Sequence, residues 1–190
     1  MVDTEGLFAQ FCLNAMRMKE SKITATKDWR DEYPVTDKVK QNLRSLMSAI
    51  GYLIHSNNSL EKCILFIDRN STITKEEGQN GKTRVVEGIG YFRDRLSIDG
   101  RNGLQKGDKF KFSGVTPSTG LVQFDDIAPT FDFKSMFSFL TGDFVVEGKY
   151  ANSVVIPREK KPKFVITTNY APPENSPSHA NRRQVVEFGD

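Results

Sequence analysis

The apolar positions of the chain follow two kinds of pattern, and their alternation points to the fold. Leu7, Phe8, Phe11, Cys12, Ala15 and Met16 recur at threes and fours, which predicts a helix over 4–19 with one buried face. Val39, Leu43, Leu46, Met47, Ile50, Leu53 and Ile54 repeat that spacing and predict a second helix, with Asp37 as N-cap and Asn57-Asn58-Ser59 as its stop. The polar stretch 20–34 between them reads as a linker, pinned to the domain by Trp29 and Tyr33. The pattern then changes. Cys63-Ile64-Leu65-Phe66-Ile67 is a continuous apolar run and predicts a strand over 62–67. Val85, Val86, Ile89, Phe92 and Leu96 return to helical spacing, so a helix is expected to run to about Leu96.

After a turn at 99–103, Phe110 to Gly114 reads as a short strand, broken by Thr116-Pro117-Ser118-Thr119-Gly120. Leu121-Val122-Gln123-Phe124 is the next apolar run and ends in Asp125-Asp126. Residues 131–140 have helical spacing and stop at Thr141-Gly142-Asp143. Phe144-Val145-Val146 and Val154-Val155-Ile156 flank a turn and predict a hairpin. The charged run Arg158-Glu159-Lys160-Lys161 reads as a solvated connection. Lys163 to Thr168 is a β-branched strand ending in Asn169. The Pro- and Ser-rich residues 171–178 read as a loop, and Gln184 to Phe188 as a final short strand. No internal repeat is visible.

Strands alternating with helices predict an α/β sheet of parallel character, in which ligands bind at the carboxyl ends of the strands. A Gly-rich stretch after residue 67, the acids Asp125-Asp126 and Asn169 each follow an apolar strand, so all three are expected along one edge of the sheet. The length, 190 residues, suits one domain with a sizeable core, and 37% hydrophobic with 27% charged residues is ordinary for a globular chain. A formal charge of +3 permits a nucleic-acid partner without arguing for one. Cys12 and Cys63 lie in apolar patterns without metal spacing, which fits buried reduced thiols in a cytosolic compartment. No apolar run reaches transmembrane length and no signal-peptide pattern opens the chain, so no membrane partner is expected.

The chemistry centres on Gly78-Gln79-Asn80-Gly81-Lys82-Thr83, lying between a strand and a helix. In that context backbone N–H groups of a Gly-rich turn wrap phosphate oxygens, Lys82 reaches the β and γ phosphates, and the Thr83 hydroxyl holds Mg²⁺. Glu76 stands where the usual P-loop has its first glycine. Phosphoryl transfer needs little beyond positioning and charge neutralisation. Asp125 would anchor Mg²⁺, Asp126 would orient or deprotonate the attacking water, Asn169 would bond the γ-phosphate or that water, and Arg182 or Arg183 would supply a cation. Each piece has a plainer reading. GKT occurs by chance, Asp125-Asp126 serves equally as a solvated turn or the cap of the helix at Phe131, Asn169 as a turn residue, and the arginines as surface charge. The order and context of the four together favour the site.

With these residues in view, the chain resembles superfamily 3 helicases of the AAA+ class, especially the C-terminal helicase domain of phage, plasmid and poxvirus-type primase-helicases. The resemblance covers about Ile50 to Phe188 and rests on GQNGKT, LVQFDDI, LTGDFVVEGKY, PKFVITTNYAP and NRRQVVEF. It implies an AAA+-like P-loop NTPase fold: a central, mostly parallel five-stranded sheet flanked by helices, with a β-hairpin before the sensor strand. Residues 1–58 would form an N-terminal helical segment and 59–190 the ATPase core, expected to be truncated at its C-terminus. It also implies ATP and Mg²⁺ as cofactors, bound between subunits of a homo-hexamer, with Lys82 and Thr83 as phosphate and Mg²⁺ ligands, Asp125 and Asp126 as the Walker B acids, Asn169 as the sensor, and Arg182 or Arg183 as an arginine finger in trans. On the hairpin, Lys149 would contact single-stranded DNA and Tyr150 would stack on a base, against the alternatives of an exposed turn lysine and a packed tyrosine.

The implied function is an ATP-dependent replicative DNA helicase domain translocating on single-stranded DNA as a ring. A primase or other replication proteins would be its partners, and the cytoplasm (the host's, if the chain is viral) its compartment. The alternatives are an AAA+ motor without unwinding activity, for packaging or remodelling, and a non-catalytic replication module.

Overall fold

The computed structural model describes residues 6–16, 35–69, 80–101, 110–148, 152–171 and 176–189. In chain order its elements are α1 (Leu7–Ala15), α2 (Asp37–Ile54), β1 (Cys63–Asp68), α3 (Lys82–Ile89), β2 (Arg95–Asp99), β3 (Leu121–Asp125), a 3₁₀ turn (Phe133–Met136), α4 (Phe137–Thr141), β4 (Phe144–Val146), β5 (Val154–Ile156), β6 (Lys163–Thr167), α5 (Pro177–Arg182) and β7 (Arg183–Phe188). Five strands form one sheet in the order β2-β3-β6-β1-β7, with every neighbouring pair parallel. β4 and β5 form a separate antiparallel pair. The α/β sheet, its parallel character and the hairpin are as the sequence predicts.

Position in the sheet accounts for the apolar patterns. The inner strands β1 and β6 are buried at every residue, as parallel strands covered on both faces must be. The edge strands β2 and β7 mix exposed and covered positions. Alternation along the inner strands sends Ile64, Phe66 and Val165 to one face and Leu65, Ile67, Phe164 and Ile166 to the other. α1, α2 and α3 cover the first face through Cys12, Leu46, Leu53, Val85, Val86 and Ile89. The second is covered by the 3₁₀ turn, α4 and the hairpin, around a cluster in which Phe112 meets Phe124, Phe139 and Phe144 edge-on. Each such ring contributes about 1.5–3 kcal/mol through its burial alone. Cys12 and Cys63 are free and buried, and burial pushes the Cys12 thiol up to about 11.

The amino-terminal edge of the sheet carries the buried cations Lys161 and Lys163 and the half-buried Arg93. Arg93 Nη1 donates to the carbonyls of Leu53, Ile54 and His55 at 3.4, 3.2 and 2.8 Å. Lys163 Nζ donates to the Tyr52 carbonyl and lies 3.9 Å from the centre of the Tyr52 ring. The last carbonyls of a helix have no partner within it and sit at its negative end, so both side chains close the C-terminus of α2. Nearby, Lys161 is buried, against the expectation of a solvated charged run, because its Nζ donates to the carbonyls of Leu140 and Gly142. No helix among the described residues is long and apolar enough to cross a membrane.

Four further local expectations are corrected. The helix after the Gly-rich turn ends at Ile89, and Leu96 lies in β2. Phe92 imitates a helical repeat but is 70% exposed, while glycines at 88 and 90 weaken the helix there. Residues 110–114 form consecutive turns, with Ser113 N–H bonded to the Phe110 carbonyl at 2.9 Å, although Phe112 still reaches the core. Thr36, not Asp37, caps α2, its hydroxyl accepting the Val39 N–H at 3.3 Å. The end of the Pro-rich stretch starts α5, where Pro177 sits in the first turn and no helical N–H is needed.

Candidate functional site

The carboxyl ends of β1, β3 and β6 converge on the turn that leads into α3, around a cavity of about 400 Å³. Asn80, Gly81, Lys82, Thr83 and Arg84 line it from the turn and the start of α3. Asp125 and Asp126 line it from the end of β3, and Thr167, Thr168 and Asn169 from the end of β6.

Gly81 sets the turn. Its φ of 85° is left-handed, and a Cβ there would lie 2.7 Å from Phe11 Cζ on α1. Only glycine meets both conditions without strain. α3 then begins at Lys82, so the N–H groups of its first turn lack acceptors within the helix and belong to residues that line the cavity.

Lys82 is only 6% exposed, and its Nζ forms an ion pair with Asp68 Oδ1 at the end of β1. Asn80 Nδ2 donates to the same oxygen at 2.9 Å. Asp68 is itself fully buried. Removing one partner of such a pair typically costs about 3–5 kcal/mol, because the other charge is left buried.

Thr83 is held by the second acid. Asp125 Oδ1 accepts from Thr83 Oγ1 at 3.0 Å, Gln123 Nε2 at 3.0 Å and Thr167 Oγ1 at 2.6 Å. Arg95 Nη1 donates to Gln123 Oε1, which fixes the amide so that its NH₂ faces Asp125. Thr167 Oγ1 also accepts the Asp126 N–H at 3.1 Å, tying both acids to β6. Asp126 has a φ of 56°, a left-handed conformation that Asp tolerates better than most residues. Its Oδ2 meets Arg101 Nη2 at 2.7 Å, with both side chains substantially exposed. Such pairs contribute about 0–1 kcal/mol, so the Asp126 carboxylate stays exchangeable. Asn169 follows Thr168, which is anchored by its N–H to the Phe66 carbonyl and by its hydroxyl to the Ile127 carbonyl, both at 3.0 Å.

The structure thus brings Asn80, Gly81, Lys82, Thr83, Asp125, Asp126 and Asn169 together. It does not bring Arg182 and Arg183 to them. Arg183 opens β7 beside Cys63, at the start of β1, while the turn follows the other end of that strand. Five residue steps separate the two edges by roughly 17 Å. Arg182 stacks on the Phe137 ring at 4.6 Å and donates to the Ser178 carbonyl at 3.3 Å. Arg183 is buried, with its guanidinium 5.9 Å from the Phe133 ring centre. Gly78, Gln79, Lys149 and Tyr150, with Glu76, lie outside the described residues.

Asp68, Gln123, Thr167 and Arg101 are members of this network that sequence reasoning missed. The signals were a polar residue inside or closing an apolar strand run: Asp68 after Ile67, Gln123 between Val122 and Phe124, and Thr167 after Ile166.

A divalent cation is tested by the donors present. Thr83 and Asp125 offer adjacent hard oxygens, 3.0 Å apart. Among the described residues, no group of three or more His, Cys, Asp or Glu side chains forms a cage of its own. That donor set fits an ion such as Mg²⁺, which keeps most of its ligands as water and substrate phosphate.

No family model matches the chain, and no curated protein matches it. Among solved structures, the A form apo structure of the C-terminal region of NrS-1 matches 96% of this chain with a TM-score of 0.55 and 12% identity. This chain spans 37% of that one. At this identity the likeness is one of fold.

Proposed function

We propose that this chain is the ATPase core of a replicative DNA helicase, binding Mg²⁺–ATP at the carboxyl edge of its sheet and working on single-stranded DNA as a ring. The observation that carries this reading is the convergence on one cavity of Lys82 and Thr83 from the start of α3, Asp125 and Asp126 from the end of β3, and Asn169 from the end of the neighbouring parallel strand β6. The resemblance of GQNGKT, LVQFDDI and PKFVITTNYAP to superfamily 3 helicases supports the same reading, as does the fold likeness to the NrS-1 C-terminal region.

In this proposal the first-turn N–H groups of α3 and the Lys82 ammonium bind the phosphate oxygens. Thr83 and Asp125 would hold the metal ion. The ion, when bound, neutralises phosphate charge. Asp126 orients the attacking water and receives its proton, and Asn169 donates to the γ-phosphate or to that water. Asp125 and Asp126 line the same cavity as Lys82 and Arg84, so an accompanying cation offsets the repulsion between the acids and a polyphosphate. The arginine pair acts on the site of a neighbouring copy, and Arg182, the more exposed of the two, is the better finger. Lys149 and Tyr150 contact the DNA strand.

The test is ATP hydrolysis by the purified chain with and without single-stranded DNA, together with unwinding of a forked duplex. Hydrolysis stimulated by the strand, removed by Lys82→Ala and no longer stimulated in Lys149→Ala, supports the helicase. Stimulated hydrolysis without unwinding leaves a motor of another kind. Absence of magnesium-dependent nucleotide binding leaves a non-catalytic replication module.

A further inference from the structure

We infer that Asp68 is a built-in competitor for the phosphate chain at Lys82, a residue that sets how tightly the site holds its nucleotide. The inference rests on the reading of the cavity as a nucleotide site and concerns a residue outside the sequence motifs that suggest it.

Asp68 is placed to hold, not to swing. It is the last residue of β1, in register with Phe188 of β7, and the next residue's N–H is bonded to the Phe188 carbonyl at 3.0 Å. Its side chain has almost no contact with solvent. One of its oxygens, Oδ1, receives both the Lys82 ammonium and the Asn80 amide. These two residues flank Gly81, the left-handed residue of the turn. A single carboxylate oxygen therefore closes the turn from both sides.

The arrangement matters because an ammonium has three donors and one charge. The charge that a phosphate would use is already neutralised by a carboxylate that cannot move into water. A phosphate bound to the same nitrogen lies within roughly two ion-pair lengths of Asp68, a separation shorter than the Debye length and in a site that salt screens poorly. Binding must therefore displace the lysine or tolerate like charges close together. A carboxamide at position 68 keeps the size and an acceptor oxygen for Lys82 while removing the opposing charge. In the empty protein the same change leaves the lysine's charge less well paired.

Two shifts of opposite direction follow for Asp68→Asn. Equilibrium titration with magnesium–ATP should give a dissociation constant at least tenfold tighter than the wild type. The melting temperature without nucleotide should fall, while the rise produced by saturating magnesium–ATP should exceed that of the wild type. Asp68→Glu, which retains the charge, should show no tightening. Should Asp68→Asn fail to fold, Asp68→Ser carries the same expectation of tighter binding. Detectable binding in a neutral variant where the wild type shows none is the extreme form of the expected result. Unchanged or weaker binding in folded neutral variants, beside a wild type that binds, overturns the inference and leaves the nucleotide reading standing, because Asp68 then only shapes the turn. No binding by any of these proteins overturns both.

Discussion

The two edges of the sheet carry buried and half-buried cations held in different ways. At the amino edge, Arg93, Lys161 and Lys163 donate to backbone carbonyls, and Lys163 also lies against an aromatic ring. At the carboxyl edge, Lys82 faces a carboxylate, and Thr83 faces another. A helix-end carbonyl is a fixed partner that offers nothing to exchange, so the amino-edge cations act as caps. A cation–carboxylate pair can be re-partnered by an anion, and a carboxylate–hydroxyl pair by a metal ion. The difference separates side chains that hold the fold from side chains that can take a ligand, and it does so without reference to any motif.

The largest expected effect lies at the carboxyl edge. Asp125→Asn keeps an acceptor for Thr83, Gln123 and Thr167 but loses the charge that would anchor the proposed ion. ATP turnover should fall about 100-fold, equivalent to about 2.7 kcal/mol, with little change in the denaturant midpoint. Comparable losses in both would mean that the acid is mainly structural. Next in size is complementation. Arg182→Ala and Lys82→Ala proteins, each inactive alone, should regain a measurable fraction of turnover when mixed into one assembly. Mixed assemblies without recovery would put the arginine outside the neighbour's site.

The amino edge should answer only in stability. Lys161→Ala strips the carbonyls of Leu140 and Gly142 of their donor in a buried setting, and should cost roughly 1–3 kcal/mol in denaturant unfolding while magnesium–ATP affinity stays within threefold. A large change in affinity would erase the contrast between the edges. The smallest effect is in pH. Burial first, then the charge of Arg93, pulls Lys163 down to about 8. Between that value and the unfolded-chain value of about 10.4 the unfolded state binds more protons, so the stability tied to this group rises with pH and is lost as pH falls through 8. Melting temperatures of wild type and Lys163→Met, compared from pH 7 to 10, should show the wild type gaining on the variant. A constant difference would mean that the Tyr52 carbonyl and ring keep the lysine charged throughout.

The same contrast explains what could be read from the chain. The inner strands were legible because burial on both faces writes continuous apolar runs, as in Cys63–Ile67 and Phe164–Ile166. β2 was not, because an edge strand mixes its positions and the exposed Phe92 supplied a false helical repeat. α5 hid behind Pro177, which reads as a breaker in the interior of a helix and as a starter in its first turn. Lys82 and Thr83 could be placed by the Gly-rich turn before a helix, and Asp125, Asp126 and Asn169 as polar groups at strand ends. Asp68 was not, since its partner stands 14 positions later and only the closing of the turn brings them together. The distance of Arg183 from the cavity was equally hidden, because it depends on the register of β7 against β1.

The most direct test of the account is equilibrium titration of ATP into the wild-type chain and into Lys82→Ala, each with and without Mg²⁺. The account predicts saturable binding that requires Mg²⁺ and is weakened about 100-fold or more by the substitution. Binding of equal strength in the two proteins, or binding indifferent to Mg²⁺, would contradict it.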